Sequence, residues 1–224
     1  MIAAVVPVKT LAASKSRLAG DDRRRIEQLS LAMMGDVLEA LLGVPTLARV
    51  AVVTPDATVA REAESVGAEA LLRDDPGLNP AIEAAAAEVA PQPDDGVLVV
   101  LGDVAAASSG DLARLVGAIH APGVALAPSR DGGTSALLRL PRDVIEARFG
   151  PDSARRHREA ASEAGVPCQV LSLASLAIDV DVAEDARAIL ACPTLGRRTR
   201  AALEALEPGL ELRIGGCPER GPRT

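Results

Sequence analysis

Four short runs, Ile2–Val8, Arg49–Thr54, Gly96–Leu101 and Gly123–Ala127, are apolar at almost every position. A strand with one wet face alternates apolar and polar residues, whereas a strand lacking that alternation has to be covered on both sides. Between the runs the apolar period changes to three and four. In Asp21–Leu42 it picks out Ile26, Leu29, Met33, Val37, Leu38 and Leu41, a helical stripe that stops at Gly43 and Pro45. Further helical stretches at Asp56–Val66, Leu78–Ala90, Ser108–Ile119, Pro151–Ala164, Val182–Leu190 and Leu195–Leu206 alternate with shorter strands at Glu69–Leu72, Ser135–Leu140, Val166–Leu171 and Leu176–Val180. The alternation predicts an α/β fold: a Rossmann-like, mostly parallel mixed sheet with helices on both faces. One domain over residues 1–214 accounts for it, followed by a Gly-, Pro- and charge-rich tail at 215–224.

The core of such a sheet must be aliphatic here, because the chain has no Trp or Tyr and a single Phe, Phe149. The formal net charge of -7 argues against a nucleic-acid binder, which normally carries a basic face. A few focused cations on an acidic chain suit a small anionic ligand. Cys168, Cys192 and Cys217 form no CxxC spacing, so they read as reduced thiols of a cytoplasmic protein. No apolar stretch approaches the ~18 residues of a membrane span, and Ile2–Val8 is too short for a leader.

Chemistry-bearing residues collect where strands end. Lys9, Lys15, Ser16 and Arg17 follow the first strand, in the crevice position where open α/β sheets bind ligands. They suit a polyphosphate, although the loop is neither GxGxxG nor GxxxxGK[ST]. Asp103 ends the strand Gly96–Leu101. With Ser108 or Ser109 available to cap the next helix, Asp103 is left for a hard cation such as Mg²⁺. Asp179 and Asp181 point to one side of a strand and would share a cation, unless Asp181 caps the helix from Val182 with Glu184 as its box partner. The loops Gly132–Ser135 and Gly150–Ser153 could hold an anion or be plain turns. His120 and His157 read as partly exposed helix residues, so no His or Cys base is in view. Cationic loop, strand-end carboxylates and small polar loops together point to nucleotidyl transfer. An acceptor that is itself a phosphate is already anionic and needs no base, so positioning and charge neutralisation carry the reaction.

Val-Pro-Val-Lys followed by Lys-Ser-Arg-Leu, then Gly77-Leu78-Asn79, Gly-Thr-Ser-Ala-Leu at 133–137, Phe-Gly-Pro-Asp-Ser at 149–153 and Ile-Asp-Val-Asp at 178–181, is an ordered set. It resembles the 2-phospho-L-lactate or phosphoenolpyruvate guanylyltransferases of coenzyme F420 biosynthesis, over roughly residues 1–206. The resemblance implies a nucleotidyltransferase fold, GTP as substrate and Mg²⁺ as cofactor. GMP passes to the phosphate of a three-carbon phospho-acid and pyrophosphate leaves. It implies GTP binding by Pro7, Val8, Lys9, Lys15, Ser16 and Arg17, with Asn79 facing guanine or ribose, and catalysis by Lys9, Lys15, Arg17 and Asp103. Metal would sit on Asp103, Asp179 and Asp181, and the acid near Thr134, Gly150 and Ser153. A labile product implies hand-off to the next transferase of the pathway. Two departures stand out: Asp103-Val104-Ala105-Ala106-Ala107 replaces the family's Asp-Leu-Pro, and Ser135 stands where Asn is usual. They leave open a divergent paralogue acting on another phospho-acid, or one binding nucleotide without turnover.

Overall fold

The computed structural model describes residues 1–11, 23–177 and 189–210. In chain order it contains β1 (Ile2–Pro7), α1 (Arg23–Leu42), β2 (Leu47–Thr54), α2 (Ala57–Val66), β3 (Glu69–Leu72), α3 (Leu78–Val89), β4 (Gly96–Val100), α4 (Ser109–Val116), β5 (Gly123–Pro128), β6 (Thr134–Leu140), α5 (Ser153–Glu163), β7 (Cys168–Val170) and α6 (Arg197–Leu210). The seven strands form one sheet in the order β3-β2-β1-β4-β6-β5-β7. All neighbours run parallel except β6, which is antiparallel to both β4 and β5. The reversal has a local cause. Only Ser129–Gly133 separate β5 from β6, far fewer residues than a parallel crossover needs.

Burial of both faces follows the strand period of two. Ala4 and Val6 of β1, Val50 and Val52 of β2, and Leu98 and Val100 of β4 pack under α1, α2 and α4. Their neighbours Ala3, Val5, Ala51, Val53, Val97 and Val99 pack under α3 and α5 on the other side. Ala-rich helices allow this approach: Ala85 and Ala86 of α3 and Ala160 and Ala161 of α5 are buried against the sheet. A third apolar cluster joins Leu29 and Met33 of α1 to Ala105, Ala106, Ile189, Leu195 and Leu203. The Val104–Ala107 stretch is therefore buried packing, and its small side chains let the chain after β4 fit beneath α1 and α6.

Helix ends match their sequence signals in most places. Asp56 caps α2 by accepting the Thr58 N–H at 2.8 Å, and Gly67 closes it with φ +99°. Ser108 caps α4 through the Asp111 N–H at 3.2 Å. Three expectations shift. Pro151 and Asp152 belong to a turn, with Asp152 at φ 54°, and α5 begins only at Ser153. Leu176 ends a 3-10 turn, Ala174–Leu176, in place of starting a strand; residues 178–188, which carry the predicted helix start at Val182, lie outside the described residues. The last helix starts at Arg197, two residues later than its apolar pattern suggests.

That last start is fixed from a distance. The carboxylate of Asp36, buried in α1, accepts the N–H of Arg198 at 3.2 Å and both the N–H and the hydroxyl of Thr199, at 2.8 and 2.6 Å. It performs for α6 the service a local cap would give. Gly196 lies so close to Asp36 that no Cβ fits there. Asp36→Ala strands these donors and is expected to lower stability by about 2 kcal/mol in urea titrations, with amide exchange quickening first in α6.

Candidate active site

The chain moves outward from β1 to β2 and β3, then returns on the other side of β1 as β4. The crevice beyond the carboxyl ends of β1 and β4 is thus the topological switch point of the sheet. Gly102 draws the two strand exits together, since a Cβ there would stand 3.1 Å from the Val8 side chain. Lys9 leaves one exit, exposed to solvent, and Asp103 leaves the other, half-buried. Because β6 is antiparallel to β4, its first residue, Thr134, lies at this same end, and the Leu101 N–H donates to the Ser135 carbonyl at 3.0 Å.

On the β1 side, the Val8 N–H donates to the Val53 carbonyl at 3.0 Å, and the Leu11 N–H donates to the Asp56 carboxylate at 3.1 Å. The Leu11 and Thr58 N–H donors hold the Asp56 carboxyl below its usual range against the opposing effect of burial, the largest single influence on it. Pro7, Val8 and Lys9 line a small open recess together with Thr54, Pro55, Asp74, Asp75 and Leu78. Lys15, Ser16 and Arg17 lie outside the described residues, as do Asp179 and Asp181. Among the described residues no group of three His, Cys, Asp or Glu side chains forms a metal cluster. Asp103, beyond the end of β4, offers the kind of hard oxygen donor that Mg²⁺ takes.

Asn79 does not point its amide at open solvent. Its Oδ1 accepts the Phe149 N–H at 2.8 Å and its Nδ2 donates to the Phe149 carbonyl at 3.2 Å, as a neighbouring strand would. It is one of four holds on the irregular stretch before α5. Arg139, fully buried in β6, donates to the Ile145 carbonyl at 2.8 Å and to Glu83 of α3 at 2.7 Å. Glu83 in turn accepts the Ala147 N–H at 2.6 Å. His157 Nε2 accepts the Arg148 N–H at 2.9 Å. These bonds set the loop that carries Gly150, whose φ of +120° favours glycine.

His157 corrects the expectation of a partly exposed helix residue: it is fully buried. With Nε2 accepting, the ring proton resides on Nδ1, which faces the Thr134 hydroxyl at 3.1 Å. Phe149 meets the imidazole edge-on, ring centres 5.1 Å apart. Burial, and then the cations Arg139, Arg156 and Arg148, push its pKa down to about 4. The three residues expected at the acceptor, Thr134, Gly150 and Ser153, are therefore drawn together. Thr134 is tied to α5 through His157, the Ser153 N–H donates to the Gly150 carbonyl at 3.1 Å, and the Ala154 N–H donates to the Gly132 carbonyl at 3.3 Å. The turn itself is braced by Asp131, which accepts from the Ser129 hydroxyl and from the Gly133 N–H at 3.0 Å; both lower its pKa. The sequence does not mark Arg139 and Glu83 for this wall, and it places His157 at the surface. For His157 a signal existed: Ser153, His157, Ala160 and Ala161 form one buried helical stripe.

Two measurements check this wall. The His157 pKa is lowered on folding, so the unfolded chain binds more protons between about pH 4 and 6.5. Stability is then complete above 6.5 and falls as pH drops, by at most about 1.4 kcal/mol per unit. Urea unfolding from pH 7.5 to 5 should show this slope, and His157→Gln should flatten it. The Ser135 hydroxyl is buried with no hydrogen-bond partner among the described residues, so Ser135→Ala should leave stability unchanged or raise it by up to about 1 kcal/mol, read as an unchanged or higher melting temperature.

The chain resembles phosphoenolpyruvate guanylyltransferases from Sphaerobacter thermophilus, 38% identical over 187 residues that cover 81% of this chain and 89% of that one, and from Streptomyces avermitilis, 38% identical over 212 residues covering 92% and 95%. In fold it matches a Desulfovibrio desulfuricans G20 protein assigned as a nucleotide-diphospho-sugar transferase, with TM-score 0.76 at 16% identity over 94% of this chain and 97% of that one. It also matches a nucleotidyl transferase from Methanothermobacter, with TM-score 0.63 at 18% identity over 84% and 95%. The fold is that of the nucleotidyltransferases. The family model for CofC-like guanylyl transferases matches residues 2–212, and the chain belongs to that family of nucleotidyltransferase enzymes.

Proposed function

We propose that the protein transfers GMP from GTP to the phosphate of a three-carbon phospho-acid, phosphoenolpyruvate in the first place and 2-phospho-L-lactate as its close analogue, in coenzyme F420 biosynthesis. The observation that carries this reading is the 38% identity, over most of both chains, to proteins named for guanylyl transfer to phosphoenolpyruvate. The juxtaposition of Lys9 and Asp103 across the switch point supports it.

In this mechanism an oxygen of the acceptor phosphate attacks the α-phosphorus of GTP. A new P–O bond forms, the bond to the bridging oxygen breaks, and pyrophosphate leaves with that electron pair. The attacking oxygen is already anionic near neutral pH, so no proton needs to be removed. This accords with a wall whose histidine is neutral and committed to Thr134 and Arg148. Lys9, with Lys15, Ser16 and Arg17, holds and neutralises the triphosphate, while Pro7 and Val8 line the floor beside it. Asp103, with Asp179 and Asp181, would hold Mg²⁺, which when bound supplies further charge neutralisation on the triphosphate. Thr134, Gly150 and Ser153 hold the acid. The departure after Asp103 lies in buried packing under α1, which favours retained turnover over a paralogue that only binds nucleotide. No helix among the described residues is long and apolar enough to cross a membrane. We place the reaction in the cytoplasm, where the labile product passes to the next transferase.

Incubation with each nucleoside triphosphate, Mg²⁺ and a panel of phospho-acids, followed by pyrophosphate measurement, tests the reading. Release should require GTP together with phosphoenolpyruvate or phospholactate, and no release with either acid sinks the proposal. Asp103→Ala should lower kcat by about 100-fold or more, and survival of activity in that variant removes Asp103 from the metal site.

A further inference from the structure

Arg156 stands in the first turn of α5, beside the loop expected to hold the acid. Its neighbours have partners: Arg155 pairs with Glu159 at 2.6 Å, and Arg148 reaches Glu163 at 3.6 Å. Arg156 has no such carboxylate among the described residues, and its Nε is buried without a hydrogen-bond partner. A terminal nitrogen of the guanidinium lies 3.2 Å from the point where a Cβ on residue 150 would stand, so the group extends across Gly150, and glycine is what leaves it room.

This placement runs against local electrostatics. The first turn of a helix favours anions, yet here it carries Arg155 and Arg156 and no acidic residue. Asp152, the residue before the helix, makes no capping bond with its side chain, whose Oδ1 lies 3.9 Å from where a Cβ of Gly132 would stand. A half-buried cation whose inner nitrogen is unpaired among the described residues, held over the acceptor loop, suits an arriving anion.

We propose that Arg156 binds the carboxylate of the phospho-acid acceptor, an assignment that rests on the guanylyl-transfer reading above. The carboxylate is the better match of the acid's two anionic groups. Its plane fits the guanidinium fork. A cation on the acceptor phosphate would instead withdraw charge from the oxygen that has to attack. Arg156 thereby discriminates three-carbon phospho-acids from phosphate esters that lack a carboxylate.

The test compares wild type with Arg156→Ala, Arg156→Gln and Arg156→Lys, using phosphoenolpyruvate and the carboxylate-free three-carbon ester glycerol 2-phosphate as acceptors. Arg156→Ala should raise KM for phosphoenolpyruvate about 10- to 100-fold, keep the Kd for GTP within about twofold, and abolish the preference for phosphoenolpyruvate over the ester. Arg156→Lys should retain part of the preference, and added guanidinium ion should restore part of the activity of Arg156→Ala, which a purely structural arginine would not allow. If Arg156→Ala does not fold, Arg156→Gln, which keeps most of the stem without the charge, carries the same comparison. The assignment is overturned if KM for phosphoenolpyruvate is unchanged, if GTP binding weakens instead, or if both acceptors lose activity in parallel. A wild-type protein that turns over no phospho-acid overturns the guanylyl-transfer reading and this assignment together, whereas active wild type with indifferent variants overturns this assignment alone.

Discussion

Everything at the candidate site depends on β1 and β4 lying side by side with water excluded from both of their faces. Ala3 and Val5 face one layer of helices, and Ala4 and Val6 face the other; Val97 to Val100 do the same. Central strands of this kind cannot slip by one residue without exchanging their two packed faces, so their register is strongly determined. Their exits are then fixed in space. Gly102 adds the last requirement by removing the side chain that would hold the exits apart. A cation follows one strand and a carboxylate follows the other, and the core brings those two strand ends side by side.

Around that rigid centre the acceptor wall is held differently. Residues 141–152 form no regular strand or helix, and the core offers them few large side chains. The stretch is kept in place by Arg139, Glu83, Asn79 and His157, each of which takes a backbone group of it. Hydrogen bonds to buried backbone contribute modestly when made and cost more when broken, so such a wall resists small distortions and tolerates loss of a partner poorly. With an aliphatic core, directional bonds supply the definition that stacked aromatic rings give in other proteins.

The sequence made the strands, most helix limits and the local caps legible, because each is decided within a few residues. Asp56 and Ser108 act where their positions predict. The antiparallel turn of β6 was also within reach, since five residues cannot span a crossover. Distant partnerships were not. Asn79 opens a helix and looks like a terminal or ligand-facing residue, yet its partner Phe149 is 70 residues away. Asp36 reads as an ordinary polar position of α1 until α6 is placed against it. His157 was misjudged because a lone imidazole in a charged helix resembles surface, and only the stripe it shares with Ser153 and Ala160 reveals the buried face.

The contact between Phe149 and His157 has a further consequence. The chain has one Phe, two His and neither Tyr nor Trp, so its aromatic proton spectrum arises from three rings. Two of them touch at the acceptor wall, and the third, His120, is exposed in a distant loop. The protein thus carries a nearly background-free reporter at the place where the acid is proposed to bind. Its absorbance at long ultraviolet wavelengths is left almost wholly to whatever nucleotide it holds.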